Sequence, residues 1–343
     1  MCSRRAGPRS LQLTLERCAV LGSNSFAGAA FVARAISDGI DVLGFGRSAE
    51  PSSMFLPYRQ SPHADRYTFC QADINTDSGR IADALEAFKP QAVVDFAGQG
   101  MVAESWTDPD QWYTTNIVAK VRLHDRLRRF QWLERYIRIS TPEVYGTGDA
   151  PRTESWDTNP STPYAVSHAA IDLSLRAFHR HYGFPVVFTR IANFYGPGQQ
   201  LYRIVPRTII SALTGRRLPL HGGGTSIRAF IYSTDVADGI MRAIVSGAPG
   251  EIYHLSPRRF MRIREVVELI CRRLGVPFES LVEVTDERPA KDAAYLMNSE
   301  RARRELAWSD SVSFEEGVDR TITWAQANLD EIRTLPWSYV HKA

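Results

Sequence analysis

From Cys18 onward the sequence alternates short apolar runs with longer amphipathic stretches, and this constrains the fold more than any other feature. A strand buried on both faces reads as a continuous apolar run, whereas a helix packed on a sheet repeats its apolar residues every three or four positions. Repeated in turn, the two patterns spell successive βα units of a parallel sheet. The runs CAVLG, DVLGF, AVVDFAG and RYIRIS predict strands, and FAGAAFVARAIS after the first predicts a helix. Two longer helices are predicted around Asp110 to Phe130 and from Tyr164 to His181. Either has the apolar spacing to build a contact between two copies of the chain.

After VVFTRIANFYGPG the alternation breaks down, glycine and proline become frequent, and shorter elements follow up to RELAW and a last helix near Phe314 to Asn328. A chain of 343 residues exceeds the size at which one core usually suffices. The expected architecture is therefore α/β, with a doubly wound parallel sheet mainly over 17–192 and a smaller C-terminal α/β lobe mainly over 193–330. Residues 1–16 are expected to form a loose basic tail and 331–343 a C-terminal one. A composition of 44% hydrophobic and 23% charged residues excludes a disordered or fibrous chain. The formal net charge of +3 is too small to announce a nucleic-acid partner, though it suits a site for an anionic ligand. Cys2, Cys18, Cys70 and Cys271 share no CxxC or CxH spacing, so neither a disulfide framework nor a metal site is expected, and a reducing cytoplasm is the expected home. No apolar stretch reaches the length of a signal core or a membrane span, so no membrane partner is expected.

The segment VLGSNSFAG lies between the first strand and its helix, with Gly22 at the tight turn and Gly28 where helix and sheet must approach closely. In that context it reads as a Rossmann dinucleotide-binding loop, in which amides at the helix start, around Ser25 and Phe26, hold a pyrophosphate. Ser25 stands in the middle position, where glycine is usual, and is small enough to let backbone approach phosphate. The second strand should end in an acid that binds the adenosine ribose of NAD, and none is present. GFGRS offers Arg47 and Ser48 instead, a pair suited to a 2′-phosphate, which leans the cofactor from NAD toward NADP; a solvated loop arginine is the other reading. Asp73 and Ile74 follow the next strand and are candidates to contact adenine, although an aspartate there also serves as a turn former.

The segments ISTPEVYG and PYAVSHAAID resemble the extended short-chain dehydrogenases that act on nucleotide sugars, above all the NDP-hexose 4,6-dehydratases. The resemblance runs from Cys18 to about Asn328 and takes in FAGQG, TTN at Asn116, ANFYGPG, GGGTSIRAFIYSTDVA, the ERP at Glu287 to Pro289, and RELAW. It implies a nucleotide-diphosphate sugar as substrate, a homodimer paired through the two long helices, and NAD or NADP as cofactor. It further implies that Tyr164 takes the C4 hydroxyl proton during oxidation, that Thr141 bonds the same oxygen, and that Glu143 removes the C5 proton before water is lost and the hydride returns. Tyr164 and His168 double as cofactor contacts. Asn193, Arg228 and Arg288 fall where the family binds substrate, the arginines on the pyrophosphate.

Two departures bear on the chemistry. Four residues after Tyr164, on the same helix face, the family has a lysine and this chain has His168, which is mostly neutral at pH 7 unless a neighbour raises it. Where many dTDP-glucose dehydratases carry an aspartate that helps expel the C6 hydroxyl, this chain has Pro142, which donates no proton. Dehydration with Glu143 as both base and acid, and epimerisation or another lyase reaction, therefore both remain open. A catalytically degraded sensor or scaffold that only binds dinucleotide is the alternative from another class.

Overall fold

The computed structural model describes residues 13–286 and 294–342. Seven parallel strands form the central sheet: β1 (Arg17–Leu21), β2 (Asp41–Gly46), β3 (Tyr67–Gln71), β4 (Ala92–Asp95), β5 (Arg135–Ser140), β6 (Val186–Ile191) and, much later in the chain, β11 (Ile252–Leu255). Their order is β3-β2-β1-β4-β5-β6-β11. The order reverses direction between β1 and β4, and a doubly wound sheet opens a ligand crevice at that switch, outside the carboxyl ends of its strands.

Strand periodicity divides the core. Cys18 and Val20 of β1 face α1 (Phe26–Ser37) and α7 (Ser233–Ser246), whereas Ala19 and Leu21 face α2 (Ser78–Phe88), α4 (Lys120–Leu127) and α5 (Pro163–Tyr182). Both faces being covered explains why the middle of the sheet, in β1, β2 and β4, is almost wholly apolar, with polar residues mainly at the strand ends. The helix predicted around 110–130 is observed as three joined pieces: α3 (Pro109–Tyr113), a π-helical stretch Thr114–Ala119, and α4. A π-bulge of this kind commonly marks a functional site, and this one carries Asn116.

The second lobe holds three two-stranded pairs: β7 (Asn193–Tyr195) with β10 (Phe230–Tyr232), β9 (Ile227–Arg228) with β12 (Met261–Arg262), and β8 (Leu218–His221) with β13 (Val282–Thr285). The first two pack with α6 (Ile204–Thr214), α8 (Ile263–Leu274) and the helix Phe314–Ala327 around a separate cluster that includes Val205, Ile270 and Val318, while β8 and β13 pack on Val267 and Cys271 of α8 in a smaller one. The chain does not divide cleanly near residue 192, because α7 and β11 return to complete the first lobe.

Within the described residues, both ends of the chain make contacts with the fold. Leu13 and Leu15 pack on the main core, and residues 1–12 lie outside the described residues. At the other end Trp337 donates to the Ile332 carbonyl at 2.9 Å and lies under Arg216, because an indole and a buried Ile332 give that segment apolar surface to bury. Among the described residues no helix is long and apolar enough to cross a membrane, and no group of His, Cys, Asp and Glu gathers with metal-ligand geometry.

Candidate active site

The turn after β1 carries the predicted cofactor loop. Gly22 has φ +77°, and a Cβ there would stand 2.9 Å from the Ala97 amide nitrogen of the neighbouring β4 loop. A Cβ on Gly28 would come to 2.2 Å from the Gly22 carbonyl oxygen, so both positions require glycine. Ser25 caps α1: its Oγ accepts from the Gly28 amide at 3.2 Å and donates to the Gly22 carbonyl at 2.7 Å. This gives serine a reason to replace glycine there. The cap uses one amide of the first turn and leaves those of Phe26 and Ala27, at the first two helical positions, directed out of the helix end, where an anion could be held. The Phe26 ring itself stacks on Phe194, with centroids 5.7 Å apart.

At the end of β2, Arg47 and Ser48 meet the chain's own C-terminal segment. Arg47 donates to the Lys342 carbonyl at 3.0 Å, Gln99 Nε2 donates to the same oxygen at 3.0 Å, and Lys342 Nζ donates to Ser48 Oγ at 3.2 Å. Just before it, His341 stacks on Trp112 with centroids 5.4 Å apart, and Tyr339 meets Tyr202 edge-on. Asp73 accepts from the Asn75 amide at 2.9 Å, the turn-forming role, while Ile74 is buried in the core beneath the loop after β3.

The predicted catalytic residues converge at the carboxyl end of β5. Thr141 directly follows the strand, and its Oγ1 accepts from the Glu143 amide at 3.3 Å, capping the tight turn Pro142–Tyr145. Pro142 occupies the first position of that turn, where no amide donor is needed. Tyr164 enters near the start of α5, whose cap is Thr162, and its main-chain amide donates to Ser105 Oγ at 3.2 Å. Burial and the nearby Glu143 carboxylate hold the Tyr164 phenol above its ordinary pKa, and the neighbouring Thr141 hydroxyl, Arg203 and Arg138 pull it down. His168 lies one turn on, its ring centroid 4.5 Å from that of Tyr164. Burial, Arg138 and Lys120 all hold its pKa well below the usual imidazole value, so it is neutral.

Behind these residues lies a layer of buried charge that the motifs did not single out. Arg138 of β5 donates to His168 Nδ1 at 3.0 Å and to Asp172 Oδ1 at 3.0 Å. Asp172 also accepts from Ser140 Oγ at 2.6 Å and faces Arg190 at 3.6 Å. Lys120 and Asp95 pair at 2.6 Å. Asn116 accepts from the Gln99 amide at 2.8 Å and donates to Ser167 Oγ at 3.0 Å, tying the β4 loop to α5. The signal for this layer was in the sequence: Arg138 and Arg190 interrupt otherwise apolar strands, and a charge buried in a strand must find a partner.

In the second lobe Asn193 opens β7 and its amide donates to the Ala229 carbonyl at 3.1 Å, which brings it beside the strand segment that carries Arg228. Arg228 is nearly buried; its guanidinium donates to the Ile227 carbonyl at 2.7 Å and lies over Tyr295. Arg288 lies outside the described residues.

Residues 18–256 match the NAD dependent epimerase/dehydratase family, and the chain belongs to it. It is 31% identical over 328 residues to the dTDP-glucose 4,6-dehydratase of Xanthomonas campestris, covering 90% of this chain and 93% of that one. It is also 31% identical to the dTDP-glucose 4,6-dehydratase of Escherichia coli, covering 91% and 94%. Among solved structures, the dTDP-glucose 4,6-dehydratase of Streptomyces venezuelae, determined with NAD bound, superposes with a TM-score of 0.84 at 30% identity, covering 92% of this chain and 98% of that one.

Proposed function

We propose that this protein is a nucleotide-sugar 4,6-dehydratase that uses a bound nicotinamide dinucleotide and ends with no net redox change. One observation carries the reading: Thr141, Glu143 and Tyr164 come together at the carboxyl end of β5, close enough for Thr141 and Glu143 both to act on the Tyr164 phenol. The three groups match the three positions that the chemistry requires, an oxygen to hold, a hydroxyl proton to remove and a carbon acid to deprotonate.

The glycine positions that a Cβ would fill, and the amides of Phe26 and Ala27, fit a dinucleotide held by Gly22, Ser25, Phe26 and Gly28. A dinucleotide held there would supply the hydride acceptor for oxidation at sugar C4 and the hydride donor for reduction at C6. Tyr164 takes the C4 hydroxyl proton, and Thr141 orients the same oxygen. With C4 a ketone, the C5 proton is acidic enough for Glu143 to remove. Pro142 donates nothing, so Glu143 passes that proton to the departing C6 hydroxyl, giving water and a C5–C6 alkene, which a hydride returned to C6 and a solvent proton delivered to C5 convert to the 4-keto-6-deoxy sugar. Asn193, Arg228 and Arg288 hold the nucleotide diphosphate. Arg47 and Ser48 favour NADP over NAD, whereas the Streptomyces relative was solved with NAD; competitive titration of the two decides.

The test is a panel of dTDP-, UDP-, GDP- and CDP-hexoses followed by mass. Loss of one water supports dehydration. Pro142 is the observation favouring the second reading, epimerisation, which leaves the mass unchanged. Tyr164→Phe and Glu143→Gln should each lower turnover by about 10²- to 10⁴-fold while dinucleotide still binds. Full turnover in either variant removes the mechanism.

A further inference from the structure

The proposed oxidation needs a phenol that releases its proton at a place where burial and Glu143 hold the proton on. The groups packed behind Tyr164 supply the counterweight. A guanidinium has only donors. The 3.0 Å contact between Arg138 Nη2 and His168 Nδ1 therefore makes Nδ1 the acceptor and leaves the single imidazole proton on Nε2, on the edge turned away from Arg138. The arginine thus selects one tautomer. Arg138 is itself fixed by Asp172, which also accepts from Ser140 and faces Arg190.

Lys120, Arg138 and Arg190 are all buried, as are Asp95 and Asp172. At neutral pH the layer thus holds three cations against two carboxylates, with His168 neutral; Lys120, which burial lowers to about 8, gives up its charge above that pH and leaves Arg138 and Arg190 facing Asp95 and Asp172. A surplus charge inside a protein is costly unless a counter-charge forms nearby. Around Tyr164 itself, Glu143 in the turn after β5 opposes ionisation, while Arg203 at the start of α6 and Arg138 favour it.

We infer that Arg138 is a positioning residue of the oxidation site: it fixes His168 as the Nε2–H tautomer and, with its buried partners, supplies the surplus positive charge against which the Tyr164 phenolate forms. This rests on Tyr164 being the oxidation base. The inference assigns the cationic role to a residue of β5 instead of to the helix position four residues after the tyrosine.

Two readouts test it without turnover, both on full-length protein saturated with NAD. The first is the ¹⁵N shifts of the His168 ring, identified by difference from His168→Gln. A bare Nδ1 and a protonated Nε2 are expected, with the pattern lost in Arg138→Gln. The second is the tyrosinate absorbance that disappears in Tyr164→Phe, titrated against pH. In Arg138→Gln its midpoint should rise by about one pH unit or more. A purely structural role for Arg138 would lower activity equally at all pH values and leave that midpoint in place. Should Arg138→Gln fail to fold, the double variant Arg138→Met/His168→Lys carries the test, because it removes the Arg–His bond yet keeps one cation beside Tyr164; its Tyr164 midpoint should match the parent's. An unmoved midpoint in Arg138→Gln, or a double variant that titrates about one unit higher, overturns the inference. If both readouts behave as stated but the parent protein turns over no nucleotide sugar, the proposed function fails and the charge network stands.

Discussion

Lowering the pH from 7 to 5.5 asks two fully buried imidazoles to accept a proton that neither surrounding accommodates. His254 donates from Nδ1 to the Asn298 carbonyl at 3.0 Å, and its Nε2 accepts from the Tyr145 hydroxyl at 2.7 Å, so the neutral ring is already satisfied on both sides. His124 is fixed as well: Tyr136 gives its one hydroxyl proton to Asp95, so its oxygen accepts from His124 Nε2 at 2.8 Å. A second proton on His124 would sit on Nδ1, a buried atom with no hydrogen-bond partner among the described residues. Burial holds both rings at pKa values of about 3, with Arg190 adding to the depression at His254, and Lys120 and Arg138 adding to it at His124 while Asp95 opposes it.

Between about pH 6.5 and 3 the unfolded chain binds a proton at each of these histidines and the folded chain does not, so stability falls as the pH drops through that window. From pH 7 to 5.5 each site costs about 1.2 kcal/mol and the pair about 2.5 kcal/mol, which for a chain of this size lowers the melting temperature by about 3 to 4 °C. Carboxylates with depressed pKa values act only below about pH 4. Glu154, beside His254 and raised by burial, acts in the opposite sense and trims the effect. The measurement is thermal or urea unfolding at half-unit pH steps. His254→Gln, which cannot take a proton, should show about half the slope. A flat profile from pH 7 to 5.5 would refute the argument that these rings are locked neutral.

The other predictions concern surfaces. Truncation before Tyr339 removes the contacts of Lys342 with Arg47, Ser48 and Gln99, and stopped-flow binding should show faster association of both NAD and NADP; an unchanged rate means that this segment does not cover the cofactor groove. Val118, Val166, Leu173 and Tyr182 are exposed on the two long helical stretches, which supports pairing of two copies there. Sedimentation should therefore give a dimer in the parent protein and a monomer in Val166→Glu/Leu173→Glu, and a dimer unaffected by both charges places the interface elsewhere.

The sheet was legible in the sequence because its strands, buried on both faces, had to be apolar, and the α1 helix was legible because glycine and serine punctuate its start. The single helix expected over 110–130 was not, since a π-helical stretch of six residues is little more than one turn and too short to register as a change of apolar period. Nor was the docking of residues 335–342, whose partners Trp112, Tyr202 and Arg47 lie far away in the chain.

The departure at His168 shows the same division. Read along the helix, a histidine four residues after Tyr164 is a weakened base, because local spacing identifies neighbours on one helix and says nothing of the strand behind it. In the fold, Arg138 reaches Nδ1 from β5, and the imidazole becomes a neutral spacer between a cation and a phenol. Lysine at that position would set an ammonium against the Arg138 guanidinium. His168→Lys alone should therefore lose activity, and regain it only when Arg138 is replaced at the same time. The departure at His168 is thus coupled to a second residue on the strand behind the helix, and the two must be exchanged together.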